Sequence, residues 1–251
     1  MSSKLKKEKL KQYDPVRWIT DLRPFNSELP VHIVASGPSL RGCAMLEFNR
    51  YQTIAVNDAA LDFSPDIHLF WDRQLFPRYR KIHYLGRTQV VISEELVGEF
   101  AQKNQFWRAL YRFIPETEHK KIREMSEKHL WIKSTILTGA IHLAARLGAC
   151  AINLWGVDGY YLSDGHEHYH NRLLSKHQLK EQTQENERGR IIPKKLTQWN
   201  RDCSHFAAWL RREYSGVDIL NMNPNSKIKA WRKIDGPEKD GDRSGQREEP
   251  A

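Results

Sequence analysis

The chain has 251 residues, of which 39% are hydrophobic and 28% are charged, so it can bury one substantial core. No apolar run approaches the roughly 20 residues that span a bilayer, and no apolar segment of a secretory signal follows the basic N-terminus. Three cysteines without metal-ligand spacing suit a reducing compartment, so we expect a cytoplasmic protein without a transmembrane segment.

The formal net charge of +9 raises the question of nucleic-acid binding. Many of the basic residues lie in an N-terminal arm and in a segment at 73–87 that also carries aromatic residues. No helix-turn-helix, zinc-finger or RNA-recognition signature accompanies them. Because such a surface also attracts a phosphorylated sugar, a lipid headgroup or an acidic polymer, nucleic-acid binding is the less favoured interpretation.

The composition divides the chain into three regions. Residues 1–26 are predicted to form a basic N-terminal arm, because two prolines interrupt any continuous helix. Residues 27–232 alternate apolar and polar segments as one α/β domain does, and include a strongly polar segment at about 159–198. Residues 233–251 are rich in Gly, Pro and charge, which predicts a disordered tail.

The apolar run at 31–34 breaks abruptly into Ser36-Gly37-Pro38-Ser39. A β-branched run of this length is typical of a parallel strand covered on both faces. Gly37 is expected to permit a tight turn, Pro38 fixes φ, and Ser39 is expected to cap a following helix while the loop amides face an anion. The segment predicts either an ordinary strand-to-helix turn or a phosphate-binding loop.

Three later apolar runs end in polar residues in the same way. The runs and their terminal residues are 53–56 before Asn57 and Asp58, 67–71 before Asp72, and 151–155 before Asp158. Because the carboxyl ends of parallel strands meet at one edge of an α/β sheet, we expect a ligand site there. Each aspartate taken singly is also compatible with a helix cap.

Two helical segments are predicted from apolar spacing. Residues 93–128 carry aliphatic and aromatic side chains at near-helical spacing, which predicts a helix that packs on the core rather than a binding platform. A second amphipathic helix is predicted from Thr197, leading to a last strand at 217–222. Thr138-Gly139 is predicted to open a further helix at 140–147.

An ordered set of motifs runs through residues 31–231. The motifs are Gly37-Pro38-Ser39-Leu40, Asn57, Pro65-Asp66, Asp72, Thr138-Gly139, Gly156-x-Asp158, Ser163-Asp164-Gly165-x-x-His168 and Pro224-Asn225-Ser226. Together they resemble a superfamily of bacterial CMP-sialic-acid sialyltransferases, motility-associated flagellin glycosyltransferases and 6-hydroxymethylpterin diphosphokinase-like proteins. The resemblance implies a Rossmann-like α/β fold with a mostly parallel sheet flanked by helices, and makes the polar segment a lid over a nucleotide.

The resemblance also implies a nucleotide site at the strand ends. Asn57 and Asn223 carry amides of the kind that read a ribose or cytosine edge. The residues assigned to nucleotide binding are Ser36, Gly37, Pro38, Ser39, Asn57, Asp58, Thr138, Gly139, Asp158, Asn223 and Ser226. Neither a metal nor another cofactor is expected for this chemistry, because loop amides stabilise the departing phosphate.

The catalytic candidates follow from the sialyltransferase pattern. Tyrosines after the Gly-x-Asp motif donate to the leaving phosphate there, which points to Tyr160, with a packing aromatic as the alternative. The general-base histidine of that family stands three residues before an Asn-x-Asp motif, where this chain has Thr197. A threonine accepts no proton at neutral pH. His168, Asp72 or His205 would replace it, and His168 is favoured because imidazole titrates nearest neutrality.

Three functions stay open on the sequence. The favoured one transfers a glycosyl group from a nucleotide-activated sugar, a CMP-sugar first, to a hydroxyl of a glycan or other acceptor, acidic acceptors included. The second is ATP-dependent diphosphate transfer to a hydroxymethylpterin-like substrate, with Asp66, Asp72 and Asp158 holding Mg²⁺. The third is a nucleotide-binding module without catalysis, which Thr197 supports. The oligomeric state does not follow from the sequence.

Overall fold

The computed structural model describes residues 16–41, 43–71, 88–103, 110–116, 125–132, 135–159 and 191–234. For 100–103 and 191–195 it describes the backbone only. The described residues form a parallel sheet of ten strands flanked by helices, which is the Rossmann-like α/β arrangement predicted from the sequence.

Ten strands and three α-helices make up the regular structure of the described residues. The strands are β1 (Arg17–Trp18), β2 (Val31–Val34), β3 (Gln52–Val56), β4 (Ile67–Phe70), β5 (Gln89–Ser93), β6 (Leu110–Glu116), β7 (His129–Trp131), β8 (Ala151–Trp155), β9 (Asp218–Asn221) and β10 (Arg232–Lys233). The helices are α1 (Glu94–Lys103), α2 (Ile136–Arg146) and α3 (Ile191–Glu213). Among these helices, none is long and apolar enough to cross a membrane.

The strand order reverses at β2. Nine strands follow the order β1-β6-β5-β4-β3-β2-β8-β9-β10, β7 pairs with β6 beside this path, and each of these pairings is parallel. From β2 the chain adds strands on one side as far as β6, and it then returns to the other side at β8. In an open α/β sheet, the crevice beyond the carboxyl ends at such a reversal is the usual ligand site.

The central strands are buried along their length because both faces of the sheet are covered. All residues of β2 and β4 are buried. Successive side chains enter two different clusters: Ile33 and Ile54 pack with the α2 residue Ile141, whereas Val34 and Ala55 belong to a second cluster on the other face. This alternation follows from the two-residue period of a strand. The sheet therefore holds a core on each side.

The helix predicted over 93–128 is wrong in its second half. Helix α1 ends at Lys103, and residues 110–116 form β6, in which Tyr111 and Phe113 are buried. β6 pairs in parallel with both β5 and β1. A short apolar run fits either a helix or a buried strand by spacing alone, and here the pairing with neighbouring strands decides between them.

The α/β domain begins earlier than residue 27. Arg17 and Trp18 form β1 and pair with β6, and Ile19 and Leu22 are buried in the core. These residues belong to the predicted basic arm, so the arm boundary at 26 is wrong. Most of the predicted lid at about 159–198 lies outside the described residues, except that its last part belongs to α3. The predicted tail also lies outside them beyond residue 234.

Candidate functional site

The loops that follow β2 and β8 lie against each other at the carboxyl edge of the sheet. The Gly37 amide donates to the Gly156 carbonyl oxygen at 2.9 Å, which extends the β2–β8 pairing beyond the strands. Gly37 has φ −67° and ψ 157°, an extended conformation open to any residue, so the turn that follows does not need the conformational freedom of a glycine. Position 37 has no room for a side chain, because a Cβ there would lie 2.6 Å from Asp158 Oδ2.

Asp158 is the anion that the loop after β2 binds. Its carboxylate accepts hydrogen bonds from the Ser39 amide at 2.7 Å and the Ser39 hydroxyl at 2.6 Å. Asn223 Nδ2 donates to the same carboxylate at 2.6 Å. Asp158 is only 3% exposed, and three short hydrogen bonds to its carboxyl oxygens offset the cost of burying them.

The expected phosphate cradle at 37–40 has its amides engaged within the protein. In addition to the Gly37 and Ser39 amides, the Leu40 amide donates to the Gly37 carbonyl oxygen at 3.2 Å, and the Arg41 amide donates to that of Pro38 at 3.0 Å. Ser39 caps no α-helix either, because it is the middle residue of a 3₁₀ turn over Pro38–Leu40, whose N-cap position is Gly37. In this structure a protein carboxylate takes the place that the sequence assigned to a phosphate.

Two predicted nucleotide-binding residues support the Asp158 loop from the side of β9. The Ser226 hydroxyl donates to the Val157 carbonyl oxygen at 2.7 Å, and Asn223 Nδ2 donates to Asp158 as described above. Both Ser226 and Asn223 are buried. These contacts hold the loop that carries Asp158 in position, and a direct contact of either residue with a nucleotide stays a prediction.

Asn57 is strained and carries an unpaired acceptor. Among the described residues it is the one non-glycine with positive φ, at 50°, and His68 Nε2 donates to its backbone carbonyl oxygen at 2.9 Å. Its side-chain Oδ1 is buried and has no hydrogen-bond partner in the part of the chain that the structure describes. An unmet buried acceptor costs about 1–3 kcal/mol, and such backbone strain collects at functional sites. The residue can therefore receive an N–H or O–H donor from a ligand.

Asn57 lies beside the reversal of strand order. β2 and β3 pair with Val34 opposite Ala55, and continuing this register brings Asn57 level with Ser36, which is half-buried in the loop after β2. Asp58 is buried in the 3₁₀ turn that follows. The sequence prediction that polar ends of neighbouring strands come together is confirmed for β2, β3 and β8.

Thr138 and Gly139 lie inside α2 and not in a turn before it. The helix begins two residues earlier than Thr138, and Thr135 is its N-cap. The Thr138 hydroxyl donates to the Trp131 carbonyl oxygen at 3.0 Å, and a Cβ at Gly139 would lie 2.7 Å from the Ile132 side chain. The predicted helix start is thus wrong, and the two small residues let α2 pack closely on the end of β7.

The three predicted catalytic residues, Asp72, Tyr160 and His168, lie outside the described residues. Their roles stay predictions. Thr197, which stands where the sialyltransferase pattern has its base, and His205, the third candidate to replace that base, are both on α3.

The position of His205 does not suit a general base at the carboxyl edge. Leu196 lies beside Gly159, which follows directly on the Asp158 loop, so this part of α3 is near the site. His205 is exposed and comes eight residues after Thr197, about 12 Å further along the helix. Since α3 connects parallel strands, that direction leads away from the carboxyl edge.

The Asn-x-Asp motif of α3 has a structural role that its sequence pattern did not reveal. Asn200 Oδ1 accepts the Lys229 amide at 2.8 Å, and its Nδ2 donates to the Lys227 carbonyl oxygen at 3.1 Å. Asp202 is buried and accepts a hydrogen bond from Gln198 Nε2 at 2.7 Å. The motif thus fastens the loop that begins with Ser226 to the helix.

The proposed magnesium ligands do not share one edge of the sheet. Asp66 precedes β4, where its carboxylate accepts the Thr53 amide at 2.9 Å. The four residues of β4 separate it from the carboxyl edge by about 13 Å. Asp66 and Asp158 therefore cannot bind one ion, which corrects the sequence hypothesis. Within the described ranges, no group of three His, Cys, Asp or Glu residues is placed to hold a metal.

Two groups near the loops have shifted pKa values. Cys43 Sγ lies 3.8 Å from the Ser39 carbonyl oxygen, and burial together with the charge of Asp158 raises the pKa of its thiol. Burial lowers the pKa of His32, whose Nδ1 accepts the indole N–H of Trp155 at 2.9 Å. At neutral pH the Cys43 thiol and the His32 ring are therefore both uncharged.

No family model and no curated protein matches this chain. Among solved structures it is similar to the MAf glycosyltransferase from Magnetospirillum magneticum AMB-1, with a TM-score of 0.52 and 15% sequence identity. The match covers 88% of this chain and 34% of that one, so the chain spans about a third of that protein's length. At this identity the likeness shows a shared α/β fold.

Proposed function

We propose that the protein binds a nucleotide-activated sugar at the carboxyl edge of β2, β3 and β8 and transfers its glycosyl group to an acceptor hydroxyl. The observation that carries this proposal is the buried, unpaired Oδ1 of the strained Asn57, one strand from the reversal of strand order. The similarity in fold to a protein named as a glycosyltransferase supports the reaction class.

A cytidine nucleotide matches the acceptor on Asn57. The exocyclic amine of cytosine, or a ribose hydroxyl, supplies the donor that Oδ1 lacks. Asp158 is already charged and hydrogen-bonded, so a phosphate placed next to it would be repelled. The phosphate of the donor is therefore assigned to Tyr160, and a ribose hydroxyl to the remaining acceptor position of the Asp158 carboxylate.

Proton transfer from the acceptor hydroxyl is assigned to His168, with Asp72 as the alternative base. His205 is set aside because of its distance along α3. A module that binds the nucleotide without catalysis is the second candidate, because Thr197 stands where the sialyltransferases that the sequence resembles have a histidine. Diphosphate transfer is not favoured, since Asp66 lies at the opposite edge from Asp158.

Calorimetry with CMP, CDP, UDP, GDP and ATP, each with and without EDTA, tests the binding step. We expect CMP to bind in EDTA, and Asn57→Gly to weaken it at least tenfold, about 1.4 kcal/mol. Glycine accepts a positive φ without strain, so this variant should be no less stable than the parent. The matched control is Asn26→Ala, at an exposed position beside the amino end of β3, which should leave CMP affinity unchanged.

Release of CMP from a CMP-sugar then separates an enzyme from a binding module. Turnover in the presence of an acceptor supports transfer, whereas tight CMP binding with no turnover supports the module. Selectivity for ATP with a strict need for Mg²⁺ would overturn both.

A further inference from the structure

A groove of about 240 Å³ opens between the last turns of α3, the start of β9 and residues 230–232. It lies at the opposite edge of the sheet from Asp158, because Asp218, which begins β9, pairs with Ala151 at the start of β8. Leu210 and Ile219 contribute to its apolar lining. The groove is therefore separate from the proposed nucleotide site. A ligand site in the groove can exist whether or not the protein transfers a glycosyl group.

One of the residues that line the groove, Trp231, carries a buried donor that lacks an acceptor. Trp231 is 7% exposed, and its indole Nε1 is buried without a hydrogen-bond partner among the described residues. A buried indole N–H usually has an acceptor, because leaving it unpaired costs stability. A ligand that carries an acceptor atom would meet this requirement.

The charges around the groove leave one positive group uncompensated. Arg232 pairs with Asp218 at 2.9 Å, so these two charges offset each other. Arg211 also lines the groove and is exposed, and no carboxylate in the described part of the chain pairs with it. The excess positive charge favours an anionic ligand.

We propose that this groove binds a small organic carboxylate. Its apolar part packs against Leu210 and Ile219, while its carboxylate accepts from Trp231 Nε1 and pairs with Arg211. The volume is below the roughly 300–1,000 Å³ of typical small-molecule pockets, which limits the ligand to a single ring or a short chain. Inorganic phosphate fits less well because it would leave the apolar lining uncovered.

The test is a titration of the full, ¹⁵N-labelled chain with benzoate, followed through the tryptophan indole resonances. Trp231→Phe identifies the resonance of Trp231. We expect that resonance to shift and to saturate with a millimolar dissociation constant. Arg211→Gln should weaken binding at least tenfold, whereas Arg212→Gln, an exposed neighbour that does not line the groove, should not.

Benzyl alcohol and inorganic phosphate test the apolar ring and the anionic group of benzoate separately. Benzyl alcohol has the ring without the carboxylate, and phosphate has a negative charge without the ring. Each should bind at least tenfold more weakly than benzoate. Equal binding of benzyl alcohol would make the groove an apolar surface and overturn the carboxylate assignment. No shift of the Trp231 resonance with benzoate, or the same affinity in Arg211→Gln, would overturn the site itself.

Discussion

The amide and the hydroxyl of Ser39 both donate to the carboxylate of Asp158, at 2.7 and 2.6 Å, across 119 residues of sequence. The bonds join the loops after β2 and β8 at the reversal of strand order. A glycine-containing loop that looks like a phosphate cradle is thus closed by the protein's own anion, and the unpaired acceptor of Asn57 lies beside it.

Loss of the Ser39 hydroxyl should destabilise the protein. Ser39→Ala removes one bond to a buried carboxylate, and hydrogen bonds to charged groups contribute about 1.5–3 kcal/mol. Urea unfolding should show a decrease of this size in the free energy of unfolding. Ser204→Ala, at an exposed position of α3, is the control and should change stability by less than about 0.5 kcal/mol. Equal effects of the two variants would contradict the assigned bond.

Gly37 and Gly98 should respond to alanine in opposite directions. Gly37→Ala places a methyl group against Asp158 and the Gly156 carbonyl oxygen, and overpacking of this kind costs about 1–3 kcal/mol. Gly98→Ala meets nothing within 4 Å in α1 and should stabilise by about 0.5–1 kcal/mol. Thermal unfolding of the two variants measures both effects. A Gly37→Ala protein as stable as the parent would show that the loops can separate.

His142 should make the protein less stable in mild acid. Burial first, and then the charge of Arg146, hold its pKa well below the ordinary value of 6.5. Its Nδ1 accepts the Trp131 amide at 3.1 Å, which requires the neutral ring. Below about pH 6.5 the unfolded chain binds a proton at this histidine that the folded chain does not bind. The free energy of unfolding is therefore highest above that pH, and it falls by about 1.4 kcal/mol per pH unit as the pH decreases.

Urea unfolding at several pH values between 5 and 8 measures this dependence. His142→Asn keeps an acceptor for the Trp131 amide but cannot titrate, so its stability should fall less steeply below pH 6.5. Ser204→Ala, at an exposed position of α3, should keep the slope of the parent. If His142→Asn retains the full slope, other groups cause the acid sensitivity.

Within the proposed function, His168→Asn should lower turnover by roughly 10²-fold while CMP affinity stays within twofold, because a general base acts mainly in the transition state. His166→Asn, two residues away, is the matched control and should turn over normally. Steady-state rates with a CMP-sugar, paired with calorimetry of CMP, separate the two quantities. A loss of CMP affinity in His168→Asn would make the residue a binding contact, and normal turnover would move the base to Asp72.

Local sequence pattern determined much of the sheet. Apolar runs bounded by Gly, Pro and polar residues mark β2, β3, β4 and β8, and in parallel strands this places Asn57 and Asp158 at one edge. The same order of residues could have shown that Asp66, which precedes its strand, belongs to the opposite edge. These features are readable because a strand's direction and two-residue period are local properties.

Only the tertiary structure decided which polar groups meet. The strand order brings β8 next to β2, so Asp158 and not a ligand accepts the bonds of Ser39. Pairing with β5 turned an apolar segment predicted as a helix into β6. The groove beside Trp231 likewise forms where α3 and β9 pack together. Such contacts depend on residues far apart in the chain, and spacing along the sequence carries no information about which of them become neighbours.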